Sequence, residues 1–426
     1  MNYRPRIADG ILNLKLQSFG AVQIVGPKGC GKTATAKMKA KSVIEFQDED
    51  RRDQYLSVAE TMPSKLLIGE RPRLFDEWQD APKLWGAIRK SVDDEQLCGA
   101  YILTGSTSRK VTTPHTGTLR ISTLKMYPMS LFESGESNGT VSLKELFADP
   151  GSFTDCKSDL SVDDLIYAIC RGGWPGAVMK KSKEAGLRVV RNMYREICRK
   201  DASSADGIDR NPVWVDAVLK SYAKDMCHLS GEKTLFADVS ANCSISKTSF
   251  YEYIGALEGL YIIDDVDAWC PSIRSRTAVR SSKKRNLIDP SLAAAALGVG
   301  SDYFNTDFRT LGFLFESLCI RDLRIYSSAQ HGIVSYYHDR YDLEADAVLH
   351  LGNGKYALIE IKLGANEIDK GAEHLCKIEE LVREHNEKEK QVPIRPPDLK
   401  IVLTATEYGY RRDDGVLVIP IGCLRD

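Results

Sequence analysis

The stretch Ala21 to Thr33, AVQIVGPKGCGKT, constrains this chain more than any other. A short apolar run (Ala21, Val22, Ile24, Val25) breaks at Gly26 into Pro27-Lys28-Gly29-Cys30-Gly31-Lys32-Thr33, which spells G-x-x-x-x-G-K-[ST] in full. A buried strand feeding a glycine-rich turn, with a helix opening near Gly31, turns backbone N–H groups and a helix N-terminus onto one point, which suits an anion. Lys32 would reach the β- and γ-phosphates of a nucleotide there, and the Thr33 hydroxyl would hold Mg²⁺. Gly26, Pro27, Lys28, Gly29, Cys30, Gly31, Lys32 and Thr33 are therefore the candidate nucleotide-binding residues, with ATP and Mg²⁺ as the implied ligands.

The next apolar runs end in the residue types such a site needs. Arg73-Leu74-Phe75-Asp76-Glu77-Trp78-Gln79 closes on two acids. At the end of a neighbouring parallel strand, Asp76 would bind Mg²⁺ through water and Glu77 would orient and deprotonate the attacking water. Alone, a hydrophobic-D-E string is a common strand end; behind a complete phosphate loop it is assigned to metal and base. Ala100 to Ser108, AYILTGSTS, repeats the form, so a hydroxyl of Thr104 or Ser106 would touch the γ-phosphate or the lytic water. An ordinary strand exit rich in Ser and Thr has the same composition, and both readings stand. His115 to Arg120, HTGTLR, precedes a strand-like Ile121 to Met126, and Arg120 would stabilise γ-phosphate charge in its own or a neighbouring subunit. A solvated surface arginine is the competing reading. If Arg120 acts on a neighbour, a homo-oligomeric ring or dimer follows.

The ordered set GPKGCGKT, LFDEWQ, ILTGSTS, HTGTLRISTLKMYPMSLFESGES and GGWPGA resembles the AAA-type P-loop ATPases of bacteria and archaea that carry a C-terminal domain of unknown function, number four-one-four-three. The similarity runs from Pro5 to beyond Leu403. Its most particular string, Met126 to Glu133 (MYPMSLFE), has no chemical role of its own. The resemblance implies Mg²⁺-dependent ATP hydrolysis, supports Lys32, Thr33, Asp76 and Glu77 as the nucleotide site, and matches the family's arginine to Arg120.

At 426 residues the chain exceeds one ordinary core, and domains of about 100–200 residues set the expectation of two to four. With 58 basic against 59 acidic residues the net charge is −1, so a nucleic-acid partner has to be argued from local clusters. The opening MNYRPRIADG holds no apolar leader core, and no stretch nears the ~18 continuous apolar residues of a membrane span. A cytoplasmic chain without a membrane partner is expected. Eleven cysteines without a C-x-x-C pair and seven dispersed histidines offer no zinc spacing, and the cysteines read as reduced, mostly buried thiols.

The expected fold class is α/β. A P-loop NTPase parallel sheet occupies 1–160, a helical lid 161–227, a winged helix-turn-helix 228–275, and a C-terminal α/β restriction-endonuclease-like domain 276–426. In the lid, Arg171 either reaches the γ-phosphate or satisfies carbonyls at its own helix end. Within 234–269, a helix, a turn near Cys243 to Ile245, Ser246 as N-cap of a second helix and a strand from Tyr261 to Val266 follow the winged-helix plan. That plan turns Lys247, Thr248 and Tyr251 toward a major groove. Arg274, Arg276, Arg280, Lys283, Lys284 and Arg285 follow with no acid among them, a cationic patch for phosphates. Winged helices also serve as packing modules and basic runs as solvated loops, so DNA contact stays open.

Further on, Leu343 to Leu349, LEADAVL, puts Asp346 in a strand. After a hairpin at Gly352-Asn353-Gly354, Tyr356 to Lys362, YALIEIK, alternates so that Glu360 and Lys362 share one face. An aspartate, a hairpin and Glu-x-Lys is the arrangement of restriction-endonuclease-like nucleases, where Asp346 and Glu360 would bind Mg²⁺ and Lys362 would steady the attacking water or the phosphate. Glu316, among apolar neighbours, fits the helical acid such folds add. No matching residue is missing, and the pattern implies the fold more strongly than it implies cleavage. The expected function is ATP hydrolysis coupled through lid and winged helix to a nuclease-like domain acting on DNA. The alternative is an ATP-gated switch or scaffold that binds DNA or protein through a catalytically inactive nuclease-like domain.

Overall fold

The computed structural model describes residues 3–105, 117–204, 206–269, 282–339, 341–387 and 393–426. Ser106, Arg274, Arg276 and Arg280 lie outside them. Helix α1 (Ile7–Ser18) leads into strand β1 (Ala21–Val25), the phosphate loop and helix α2 (Lys32–Lys37). Strands β2 (Ser42–Glu45) and β3 (Arg73–Asp76), helix α3 (Lys83–Glu95), and strands β4 (Tyr101–Thr104) and β5 (Ile121–Lys125) complete the unit. The five strands form one sheet in the order β2-β3-β4-β1-β5, every pairing parallel.

Such a sheet is covered on both faces, which is why its central strands are apolar at nearly every position. Alternation sends Val22, Ile24, Leu74 and Ile102 into one core and Ala21, Phe75, Tyr101 and Leu103 into another. Register brings Ile24 and Asp76 opposite Thr104 on either side of β4, so the ends of β1, β3 and β4 meet at one rim.

Past β5 the chain makes a short helix, Leu131–Ser134, fixed by a reciprocal capping box between Ser130 and Glu133. Strands β6 (Val141–Ser142) and β7 (Cys156–Lys157) follow. A helical region comes next: α4 (Val162–Arg171), α5 (Lys183–Glu196) running into a π-helical turn Ile197–Asp201, α6 (Pro212–Lys224), α7 (Glu232–Asn242) and α8 (Lys247–Gly259). Antiparallel bridges then pair Ile263 with Leu287 and Val266 with Lys284. Helix α9 (Pro290–Leu297) and the long helix α10 (Phe308–Ser327) complete the passage.

Strands β8 (Ile333–His338), β9 (Glu344–His350) and β10 (Tyr356–Lys362), helix α11 (Ile368–Glu387), and strands β11 (Leu399–Thr404), β12 (Tyr408–Arg411), β13 (Leu417–Pro420) and β14 (Leu424–Arg425) end the chain. All these strands but β14 join β7 in a mixed sheet of seven strands, β7-β12-β13-β11-β10-β9-β8. Helix α11 packs Ala372, Leu375 and Ile378 on one face, against Leu358, Val402 and Val418; α10 packs Leu314, Phe315 and Leu318 on the other, where Ala357, Ile359 and Ile361 point. Strand β7 joins this sheet from far upstream, and β6 pairs with β14. One continuous core therefore runs from Val22 to Leu403.

Candidate functional site

At the rim of the first sheet, Gly26, Gly29 and Gly31 take φ of +144°, +82° and +107°, conformations that side chains avoid. A Cβ on Gly26 would run into the Met126 carbonyl. Lys32 is buried, and its Nζ donates to the Gly26 and Pro27 carbonyls at 2.9 Å each. The Thr33 hydroxyl donates to Asp76 Oδ1 at 2.7 Å, and the Thr104 hydroxyl donates to the same oxygen. Glu77 follows with φ +54°, a left-handed conformation that costs a non-glycine residue about 1–2 kcal/mol, and its carboxylate accepts from Gln79 Nε2. Strain of that kind gathers where a side chain has to be aimed. A glycine cradle, a buried lysine and a hydroxyl beside a carboxylate suit a triphosphate with Mg²⁺.

Two other segments touch the loop. Arg6, which carries no motif signature, donates to the carbonyls of Cys30 and Tyr127 at 2.9 Å each and pairs with Glu133 at 3.2 Å. From the helical region, Asp201 pairs with Lys28 at 3.2 Å.

Two arginines fall elsewhere. Arg120 stands at the start of β5, its carbonyl accepting from the Ala21 N–H, and its side chain pairs with Asp93 at 2.6 Å. That is the opposite end of β1 from the phosphate loop, so Arg120 does not face the nucleotide position of its own subunit. Arg171 is buried against Glu136 at 2.5 Å and donates to the Gly172 carbonyl at 2.9 Å, the helix-end role rather than the phosphate role.

A second cluster lies between α10 and the C-terminal sheet, on a cavity of about 1000 Å³ lined by Lys284, Glu316, Asp346 and Lys362 among others. Lys284 Nζ lies 2.6 Å from Glu316 Oε1, 3.1 Å from the Asp346 carbonyl and 4.0 Å from Asp346 Oδ1. Lys362 Nζ sits 3.1 Å from Asp346 Oδ2, which also accepts the Ile361 N–H at 2.8 Å. Glu360 is fully buried and turned toward α11, 2.5 Å from Lys362 and 3.2 Å from His374. Burial and the nearby Asp346 push its carboxyl up to about 9. Burial, opposed by Lys284, pushes Glu316 up to about 7. Burial would raise Asp346 as well, but Lys284 and Lys362 outweigh it and hold it low.

Asp346 and Glu360, the pair expected around one Mg²⁺, lie side by side with Lys362 reaching both. Glu360 is buried behind Asp346 and Lys362, which line the cavity, and an ammonium lies between Glu316 and Asp346. A divalent ion about 4 Å from that ammonium would be repelled by roughly 8 kcal/mol at an effective dielectric of 20. Among the described residues no group of three or more His, Cys, Asp and Glu gathers as a metal site.

Family models match three parts of the chain: an AAA domain over residues 18–134, a domain of unknown function, DUF8612, over 162–303, and another, DUF4143, over 311–424. The chain is an AAA-domain protein with a C-terminal DUF4143 domain. No curated protein matches it. Among solved structures, the Walker-type ATPase PABY2304 of Pyrococcus abyssi is 14% identical, with 70% of this chain and 96% of that one covered and a TM-score of 0.44. A Drosophila ORC structure bound to DNA (14% identity, 68% and 85% covered, TM-score 0.19) and a DNA replication initiation factor (13%, 73% and 91%, 0.23) also match. Likeness at these scores says nothing about activity. Among the described residues no helix is long and apolar enough to cross a membrane.

The AAA domain and the DUF4143 domain are joined through the string Met126 to Glu133. Asp322 of α10 accepts the Leu131 N–H at 2.9 Å, and Tyr326 accepts the Phe132 N–H at 3.2 Å. Arg321 bridges Asp322 and Asp289 at 2.7 and 2.8 Å, and Asp289 accepts the Gly173 N–H at 3.0 Å. The string that had no chemical role is thus the seat of α10. Between the two domains, Lys247, Thr248 and Tyr251 are exposed on α8. Of the basic run after it, Lys283 is exposed, whereas Lys284 and Arg285 are buried, Arg285 against Asp265 at 2.7 Å. The expected patch loses both, because antiparallel pairing with Val266 points Lys284 inward.

Proposed function

We propose that this protein is a Mg²⁺-dependent ATPase whose nucleotide state governs how its helical and C-terminal parts engage DNA. The observation that carries the reading is the convergence of the Thr33 and Thr104 hydroxyls on Asp76 beside a buried Lys32. Lys32 and the backbone N–H groups of the glycine turn bind the phosphates; Thr33 and Asp76 would hold the metal. The chemistry Mg²⁺ would supply there is neutralisation of charge on the phosphate oxygens. Glu77 takes the proton of the attacking water, and Thr104 orients the γ-phosphate or that water. The Lys28–Asp201 pair links the phosphate loop to the helical lid.

Lys32→Ala should abolish tight ATP binding in titration calorimetry; a variant that binds and hydrolyses like the parent removes the assignment. Glu77→Gln should hold ATP while stopping turnover, and undiminished hydrolysis takes the base role from Glu77.

For the C-terminal domain, the buried Lys284 favours the switch over the nuclease. In this reading the nuclease-like domain and the winged helix bind DNA without cutting it, with Lys247, Thr248, Tyr251 and Lys283 as the surface contacts. Binding should then weaken steeply with salt. Plasmid and single-stranded DNA incubated with Mg²⁺ or Mn²⁺ should stay intact with the parent and with Asp346→Ala alike. Metal-dependent cutting by the parent that Asp346→Ala removes would restore the nuclease.

A further inference from the structure

The carboxylate cluster of the DUF4143 domain already holds cations, one of them from outside that domain. Lys284 exchanges backbone hydrogen bonds with Val266, each 2.9 Å, which leaves Lys283 on the surface and sends the Lys284 side chain inward. Its ammonium donates to Glu316 and to the Asp346 carbonyl and lies 5.6 Å from the centre of the Tyr336 ring. Lys362 occupies the other side of Asp346 and reaches Glu360. Each of the three carboxylates is therefore held by a lysine, although a cavity open to solvent lies alongside. Groups placed to bind Mg²⁺ would present oxygens about 2.0–2.1 Å from a common point, and Lys284 stands between two of the carboxylates in addition to the lysine of Glu-x-Lys.

We propose that Lys284 is the resident cation of this cluster, standing between Glu316 and Asp346 in place of a divalent metal, so that the domain works without Mg²⁺ or Mn²⁺ there. This rests on the nuclease-like reading of the domain. The lysine comes from the segment paired with the end of the winged region, not from the C-terminal sheet, so the wing holds the metal position closed. Removing that charge leaves two carboxylates facing across the space of a lysine head, an arrangement that captures a cation.

The test is a Mn²⁺ titration followed by the electron paramagnetic resonance of free Mn²⁺, on the full chain without nucleotide. The parent and Asp346→Asn should bind Mn²⁺ alike. Lys284→Met should gain one site about tenfold or more tighter than any in the parent, and Lys284→Met with Asp346→Asn should lose it. Mn²⁺ binding by the parent that depends on Asp346 overturns the proposal, and so does a folded Lys284→Met that gains nothing. If circular dichroism finds Lys284→Met unfolded, the comparison of the parent with Asp346→Asn still decides. DNA cutting distinguishes the two levels. Asp346-dependent cutting by the parent overturns both this inference and the non-cutting reading, whereas a parent that neither cuts nor binds, with no gain in Lys284→Met, overturns only the role of Lys284.

Discussion

Thr33 and Thr104 sit at the ends of separate elements yet donate to one oxygen of Asp76, because parallel register sets β1, β3 and β4 to finish at the same rim. Arg120 shows the converse. The same register that gathers the strand ends puts a residue preceding β5 at the far rim, where it pairs with Asp93 at the surface. Arg120→Ala is expected to leave ATP affinity at the parent value and to cost under about 1 kcal/mol in denaturant unfolding, as exposed pairs do. A large loss of affinity in a monomeric preparation would put the arginine back at its own site. Glu360 allows a pH prediction. Its carboxyl, raised by burial and Asp346 to about 9, takes up a proton on folding between the ordinary carboxylate range and that value. The folded state then binds more protons than the unfolded state, so this contribution is full at low pH and is lost as pH rises through about 9. Glu360→Gln should flatten the fall in melting temperature between neutral pH and pH 9, and an unchanged slope would remove Glu360 as its source.

Among the elements, α10 is buried nearly all round and still carries Glu316, Arg321 and Asp322 in its interior. Charges on such a helix persist only when paired, and each of these meets a different part of the chain. Glu316 meets Lys284 of the segment bridged to Val266, Arg321 meets Asp289, and Asp322 meets the backbone that follows β5. Removing one partner of a buried pair leaves the other charge uncompensated, so Asp322→Ala should cost about 3–5 kcal/mol. Chemical denaturation measures this; a cost under 1 kcal/mol would show that the Leu131 seat does not hold α10. The short helix Leu131–Ser134 owes its position to the Ser130–Glu133 capping box, which the letters S-L-F-E already spell, while its use as a seat for α10 needed the packed structure.

At the scale of the molecule, the phosphate loop, the acids after β3 and the Glu-x-Lys strand were legible because each is a contiguous string whose backbone geometry follows from its own residues. The α/β class and the AAA and DUF4143 matches followed from the same strings. Arg6 under the loop and Lys284 in the carboxylate cluster were not legible. A lone arginine near the start and a lysine in a basic run have no local pattern that separates them from solvated surface charges. Lys284 bonds to residues 32 and 62 positions away, and Arg6 to one 121 positions away. Sequence alone determined that this protein has a glycine-rich phosphate-loop turn with a carboxylate at the neighbouring strand end, because glycine φ freedom and strand alternation act over a few residues. Tertiary structure decided which charges neutralise one another, because burial forces every cation to find a carboxylate or carbonyl within about 3 Å, and only the packed chain says whose.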